Sequence, residues 1–207
     1  LISNAIESSQ RRVEGYNFDV RKHILEYDDV MNKHREIIYA RRRKILTSEN
    51  IKNDILVLME RAAEHIVFNN IEGRSVREWD YAAMMEGIRS FHSQGAEPLT
   101  QEDLEKITEK EDLVDKIKKY FWAEYALKEE ALPEGAPLRQ LERNVYLRVI
   151  DTLWMEHITA MTHLRDAVSL QGYGQKDPLV EYKQQAYELF TKLMHTIQHN
   201  TLATLFK

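Results

Sequence analysis

Three features of this 207-residue sequence predict an all-α fold. Only seven glycines and four prolines are present, the first proline being Pro98, so long stretches carry no helix breaker. Charged residues make up 30% of the chain, which with so few breakers favours helix over sheet. Apolar residues recur by threes and fours over tens of positions, the period of an amphipathic helix.

The same composition narrows the classes of function. Without cysteine there is no disulfide framework and no thiolate metal site, in keeping with a reducing compartment. The longest strictly apolar run, Ile55 to Met59, is far too short to span a bilayer. The first residues, Leu1-Ile2-Ser3-Asn4, have neither the basic start nor the apolar segment of a signal peptide. No glycine precedes a lysine, so a Gly-Lys-Ser/Thr phosphate loop is absent and the chain alone is not expected to hydrolyse ATP. Net charge is −5 but unevenly spread. Residues 1–48 hold ten basic and seven acidic side chains, residues 49–137 eleven and twenty, and residues 138–207 eight and seven. A strongly acidic middle between two near-neutral segments predicts a solvated lobe set into a scaffold and argues against a general grip on nucleic acid.

Residues 1–48 read as one long helix. Its stripe is Val13, Tyr16, Val20, Ile24, Tyr27, Met31, His34, Ile38, Arg41 and Ile45, widened by Leu25 and Ile37. A helix over residues 4 to 47 would extend about 65 Å at about 1.5 Å per residue, so it needs partners along its length, some of them outside this chain. The stripe makes Ile24 a buried position, where a charge would cost several kcal/mol. Arg41 to Lys44, "RRRK", end this helix, where cations favour the dipole.

Residues 49–137 read as several shorter helices forming an acidic lobe. Ile51, Ile55, Leu58, Ala62 and Ile66 mark the first, with Asn69-Asn70 and Gly73 as its stop. Ser75 with Glu78 and Thr108 with Glu111 have capping-box spacing, and Thr100 can cap the helix after the loop Ser93 to Thr100.

Residues 138–207 read as an antiparallel two-helix hairpin. Leu138, Leu141, Val145, Val149 and Thr152 begin a stripe that drifts into Leu153, Ile158, Met161, Leu164 and Val168. Beyond "SLQGYGQKDP", Asp177 can N-cap and Pro178 can fill the first helical turn. The second stripe is Leu179, Tyr182, Ala186, Phe190, Leu193, Ile197 and Leu205. On residues alone, Gly172 ends the first helix in a left-handed cap and the Tyr173 ring folds back on the hairpin. Asp151, Trp154 and His157 lie at i, i+3 and i+6; without a nucleophile or oxyanion pocket they read as a polar contact at the edge of a packing face. His195 and His199 share a helix face but lack a third ligand, so they read as solvated histidines with no metal.

Two long strings resemble a known family. Val13 to Leu46, "VEGYNFDVRKHILEYDDVMNKHREIIYARRRKIL", is similar to the long scaffold helix of the SecA family of bacterial protein-translocation ATPases. Leu147 to Phe190, "LRVIDTLWMEHITAMTHLRDAVSLQGYGQKDPLVEYKQQAYELF", resembles that family's two-helix finger. Residues 49–137 fall where its helical wing domain would lie, matched by position and by "PLTQEDL". The resemblance covers nearly the whole chain but only the C-terminal part of the family protein, without its nucleotide-binding domains, preprotein-crosslinking domain and zinc-binding tail. It implies three parts: a scaffold helix over 1–48, a helical wing over 49–137, and a two-helix finger with the remaining scaffold over 138–207.

The resemblance also implies a function. The scaffold would couple the ATPase domains to a finger that reaches the SecY channel, with the tip residues Leu170, Gln171, Gly172, Tyr173, Gly174, Gln175 and Lys176 touching the unfolded preprotein or the channel. Tyrosine suits a contact with a chain of no fixed sequence, having a broad apolar face, one hydroxyl and few rotamers. ATP and Mg²⁺ are implied for the full-length family protein and no cofactor for this chain. The implied location is cytoplasmic, with peripheral association with the bacterial inner membrane through the channel. Two positions depart from the family pattern: Tyr16 stands where arginine is frequent, and Gln171 replaces a common arginine beside the tip. A helical docking scaffold indifferent to Tyr173, and a basic-helix nucleic-acid binder dependent on Arg41 to Lys44, are the competing readings.

Overall fold

The computed structural model describes residues 2–71, 75–91, 98–131, 138–171 and 177–207, and within them the side chains of all but residues 2–5, 19, 20, 23, 77 and 169–171. These residues form seven α-helices and one 3-10 turn, with no strand among them. The helices are α1 (Ile2–Thr47), α2 (Lys52–Phe68), α3 (Tyr81–Arg89), α4 (Gln101–Glu105), α5 (Lys110–Ala131), α6 (Leu138–Gln171) and α7 (Pro178–Phe206). The all-α expectation therefore holds. Two compact units result: residues 1–41 with 153–193, and residues 42–152 with 194–207. Each of α1, α6 and α7 supplies a segment to both.

In the second unit, α2 packs chiefly on α5. Ile55, Met59 and Ala63 from α2, and Leu113, Ile117 and Phe121 from α5, are fully enclosed. Each large aliphatic or aromatic side chain so buried contributes roughly 1.5–3 kcal/mol. The spacing i, i+4 and i+8 in both helices is what lets one face of each meet the other.

Helix ends follow side-chain chemistry, with two shifts from expectation. Thr100 and Asp103 form a reciprocal capping box at α4, and Asn69 closes α2. Ser75 and Glu78 open only the 3-10 turn Val76–Glu78, with the Ser75 N–H donating to Glu78 Oε2 at 3.3 Å. The Asp80 N–H is held by the Asn70 carbonyl at 2.8 Å, which turns the chain back to the end of α2. Asp80 is then the real N-cap of α3, accepting from the Ala83 N–H at 2.9 Å. At α5 the Leu113 N–H donates to the Glu109 carbonyl, so Glu109 and not Thr108 stands at the N-cap and the helix starts at Lys110.

The burial pattern also corrects two stripes. On α1, Ile38 and Ile45 are enclosed and His34 is buried, but Val13, Tyr16 and Ile24 are each more than half exposed. Only the second half of the long helix finds partners among the described residues. On α6 the buried positions are Glu142, Tyr146, Ile150, Trp154, His157, Met161, Leu164 and Val168. The first part of this face is one residue out of phase with the apolar count, because Leu141 is exposed and a charged residue, Glu142, occupies the inside.

Candidate functional site

The first unit contains the hairpin segments 153–193 and the part of α1 that seats them. α7 starts where Asp177 and Pro178 require it. Asp177 Oδ1 accepts the Leu179 N–H at 2.8 Å, while the Asp177 carbonyl accepts from the Glu181 N–H at 3.2 Å. Proline in the first turn has no N–H to orphan.

Below that cap lies an apolar cluster. Met161, Leu164 and Val168 from α6 meet Tyr182 and Ala186 from α7, with Tyr27, Val30 and Met31 of α1 and Leu189 of α7 packed against them. The rings of Tyr27 and Tyr182 stand 4.7 Å apart and tilted, which fixes the start of the second hairpin helix against α1. Burial pushes the Tyr182 hydroxyl above its ordinary pKa, so it stays neutral and acts as packing. Arg165 and Asp28 lie 3.9 Å apart with half their side-chain surface in solvent, an ion pair of small net value.

A second layer is built from rings. His34 of α1 stacks on Phe190 of α7 with centroids 4.2 Å apart and planes within 10°. Its Nδ1 lies 3.1 Å from Nε2 of His157 on α6, so one imidazole donates to the other. His157 in turn stacks on Trp154, whose indole meets the edge of Tyr39. Trp154 and His157 thus sit inside the packing face, not at its edge. Asp151 takes a different partner: it accepts from Arg42 Nε at 2.8 Å and Nη2 at 3.2 Å, within the second unit.

The remaining sequence candidates divide clearly. Leu170 and Gln171 are the last residues of α6, but their side chains, and Gly172, Tyr173, Gly174, Gln175 and Lys176 entirely, lie outside the described residues. Of the "RRRK" run, Arg42 is engaged by Asp151 and Lys44 by Asp54. His195 and His199 are exposed and, with His65, Asn69, Phe91 and Gln198, line a cleft of about 430 Å³ in the second unit. Burial, then the neighbouring His195 and His199, lowers the pKa of His65. Among the described residues no group of three or more His, Asp or Glu is placed to hold a metal ion. None of their helices is long and apolar enough to cross a membrane.

Sequence reasoning missed a buried polar knot in the second unit. Glu142, fully enclosed, accepts from Tyr125 and from Arg139 Nη1 at 2.6 Å, and Arg139 also reaches Glu129. Lys52 joins Glu129 at 2.7 Å. Burial, then the Glu142 carboxylate, pushes the Tyr125 pKa up to about 12. The i, i+3 spacing of Arg139 and Glu142 was the available signal.

These parts define an all-α helical scaffold in which, among the described residues, α6 and α7 pack against the second half of a long helix. Sequence comparison gives the scaffold its family: the model described as the SecA Wing and Scaffold domain matches residues 1–207, and the chain belongs to that family. It is 40% identical over 209 residues to the protein translocase subunit SecA of Heliobacterium modesticaldum. It is 41% identical over 211 residues to that of Carboxydothermus hydrogenoformans, and 37% over 207 to that of Dehalococcoides mccartyi. All three matches take in 100% of this chain but only 24%, 24% and 21% of the relatives. The chain thus spans about a quarter of the length of the curated relatives it matches.

Proposed function

We propose that this chain is the wing-and-scaffold portion of a protein-translocation motor, in which α1 carries and couples the ATP-hydrolysing domains and the α6–α7 hairpin is the arm that meets the moving polypeptide. One observation carries the reading most: the whole chain matches a translocase scaffold family, at about a quarter of its relatives' length. The bare half of α1 supports it. Val13, Tyr16 and Ile24, which share one side of the helix, are each more than half exposed, an apolar face suited to the missing three quarters of such a protein. The wing, in this reading, is the acidic lobe of residues 49–137.

Tyr173, flanked by Leu170, Gln171, Gly172, Gly174, Gln175 and Lys176, is the proposed polypeptide or SecY contact. The motor would stand at the cytoplasmic face of the inner membrane, held peripherally through the channel, with ATP and Mg²⁺ bound by domains beyond this chain. The test is made in the full-length protein. Tyr173→Ala should impair translocation of an unfolded preprotein far more than basal ATP hydrolysis, with Phe restoring part of the loss through its ring face. A photo-crosslinker at position 173 should capture a stalled client or the channel mouth. Equal loss of both activities, with no crosslink, would make the arm a passive strut. The basic-helix nucleic-acid reading is disfavoured by the ion pairs that already occupy Arg42 and Lys44.

A further inference from the structure

We propose that His34 and His157 form a proton-sensitive latch that fastens the hairpin helix α6 to the long helix α1, closed while the pair is uncharged and released by protonation. The geometry sets the rule. Nδ1 of His34 and Nε2 of His157 share one hydrogen bond at 3.1 Å, which requires one nitrogen to donate and the other to accept. If both rings are imidazolium, two N–H groups point at each other and the bond cannot exist. A proton taken up at the shared acceptor nitrogen therefore breaks the contact that joins the two helices.

The surroundings amplify this. His34 and His157 are 7% and 5% exposed, so a charge formed there loses most of its hydration. The faces presented to them are the Phe190 ring from α7 and the Trp154 ring from α6. The nearest charged residues in sequence are Lys33 and Arg35 on α1, Glu156 on α6, and Glu188 and Lys192 on α7, and all five are exposed. Lys33 is paired with Asp29. Among the described residues, the titratable group that bears on His34 is His157. Among the described residues no carboxylate bears on either ring to hold an imidazolium in place, unlike the histidines that proteins keep charged.

Burial, and then the second histidine, lowers the His34 pKa from 6.5 to about 4, and burial lowers that of His157. The direction of the linkage follows. The released or unfolded state binds protons near pH 6.5, while the closed state resists them down to about pH 4, so the closed state is fully favoured above pH 6.5 and loses ground as pH falls through that window. At pH 5 the bias from His34 alone is at least about tenfold.

Two measurements on the 207-residue chain test the latch. Hydrogen exchange, corrected for intrinsic rate, should show protection in residues 30–38 and 154–161 falling at least about tenfold between pH 7.5 and 5, and falling much less in His34→Gln. Glutamine keeps a donor and an acceptor but does not titrate. Ring-carbon resonances of His34 and His157 in the parent should titrate well below pH 6 and together. Two independent titrations near pH 6.5, or equal pH dependence of exchange in parent and variant, would overturn the proposal. Should the variant not fold, the parent's titration decides alone.

Discussion

Arg42 and Asp151 are joined by two parallel hydrogen bonds, Nε to Oδ1 at 2.8 Å and Nη2 to Oδ2 at 3.2 Å, between helices 109 residues apart in sequence. The fork of the guanidinium matches the carboxylate and fixes the rotation of both helices at this point. It lies within the "RRRK" run that, read as sequence, served the helix dipole or, in the competing reading, a nucleic acid.

Both side chains are about half exposed, so the pair adds orientation more than energy. Asp151→Asn should cost about 0.5–1 kcal/mol in the parent at low salt and less at high salt. Arg42→Lys should cost about as much, because an ammonium offers no second prong. Chemical denaturation at two ionic strengths measures this. A loss of ~3 kcal/mol or more for either variant would mean that the pair is structurally central.

The enclosed Glu142 makes the opposite case. Removing Arg139 leaves a buried carboxylate with Tyr125 as its remaining described donor, and such uncompensated charges cost about 3–5 kcal/mol. Tyr125→Phe deletes one donor and should cost about 1–3 kcal/mol. The double substitution Arg139→Met with Glu142→Leu should recover most of the loss, since an apolar pair of similar size replaces the ion pair. Thermal or urea unfolding orders the variants. If Arg139→Ala were as mild as Asp151→Asn, Glu142 would have to be hydrated.

What the sequence made legible follows from periodicity. The long helix, the two hairpin helices, the Thr100 and Asp177 caps and the buried Tyr182, Ala186 and Ile197 were all marked by spacing or by a residue type with one role. The phase of early α6 was not, because a count of apolar residues cannot include a buried Glu142 whose partners lie on α5 and at its own i−3 position. The latch was half visible: His34 lay on the α1 stripe and His157 beside Trp154, but nothing local says that residues 123 apart share a hydrogen bond. Asp80 was hidden by the stronger spacing of Ser75 and Glu78, which tertiary contact through Asn70 overrides.

The exposed half of α1 changes what a charge at Ile24 should do. The stripe alone assigns Ile24 to a core, but its side chain is 54% exposed. In this chain Ile24→Asp should therefore shift stability by about 0.5 kcal/mol or less, whereas Ile38→Asp, at a fully enclosed site, should cost several kcal/mol or prevent folding. In the full-length protein the first substitution should become costly if the bare face is covered there. Melting curves of both variants in the short and long chains separate these cases. A severe effect of Ile24→Asp in the short chain would place it against a partner within these 207 residues.

Two glycines in helices offer the sharpest contrast, because the same substitution should act in opposite directions. Gly15 lies within α1, and a Cβ there would meet nothing within 4 Å. Alanine at that position keeps the helical backbone and removes the entropy that glycine loses on folding, so Gly15→Ala should raise helicity and stabilise by about 0.5–1 kcal/mol. Gly87 is in α3, where a Cβ would stand 3.1 Å from Cγ1 and 3.4 Å from Cδ1 of Ile66 on α2. Ile66 is buried and β-branched, and the crowded Cγ1 is attached directly to its Cβ, so it cannot swing away as a terminal methyl could. The two helices must part by a few tenths of an ångström, which outweighs the propensity gain and should make Gly87→Ala destabilising by about 1–2 kcal/mol. Combining it with Ile66→Ala should relieve the clash, the pair costing less than the sum of the two single changes. Circular dichroism and thermal unfolding read both positions. A stabilising Gly87→Ala would show that Ile66 yields into the adjoining cleft and that the α2–α3 contact is looser than its 3.1 Å approach implies.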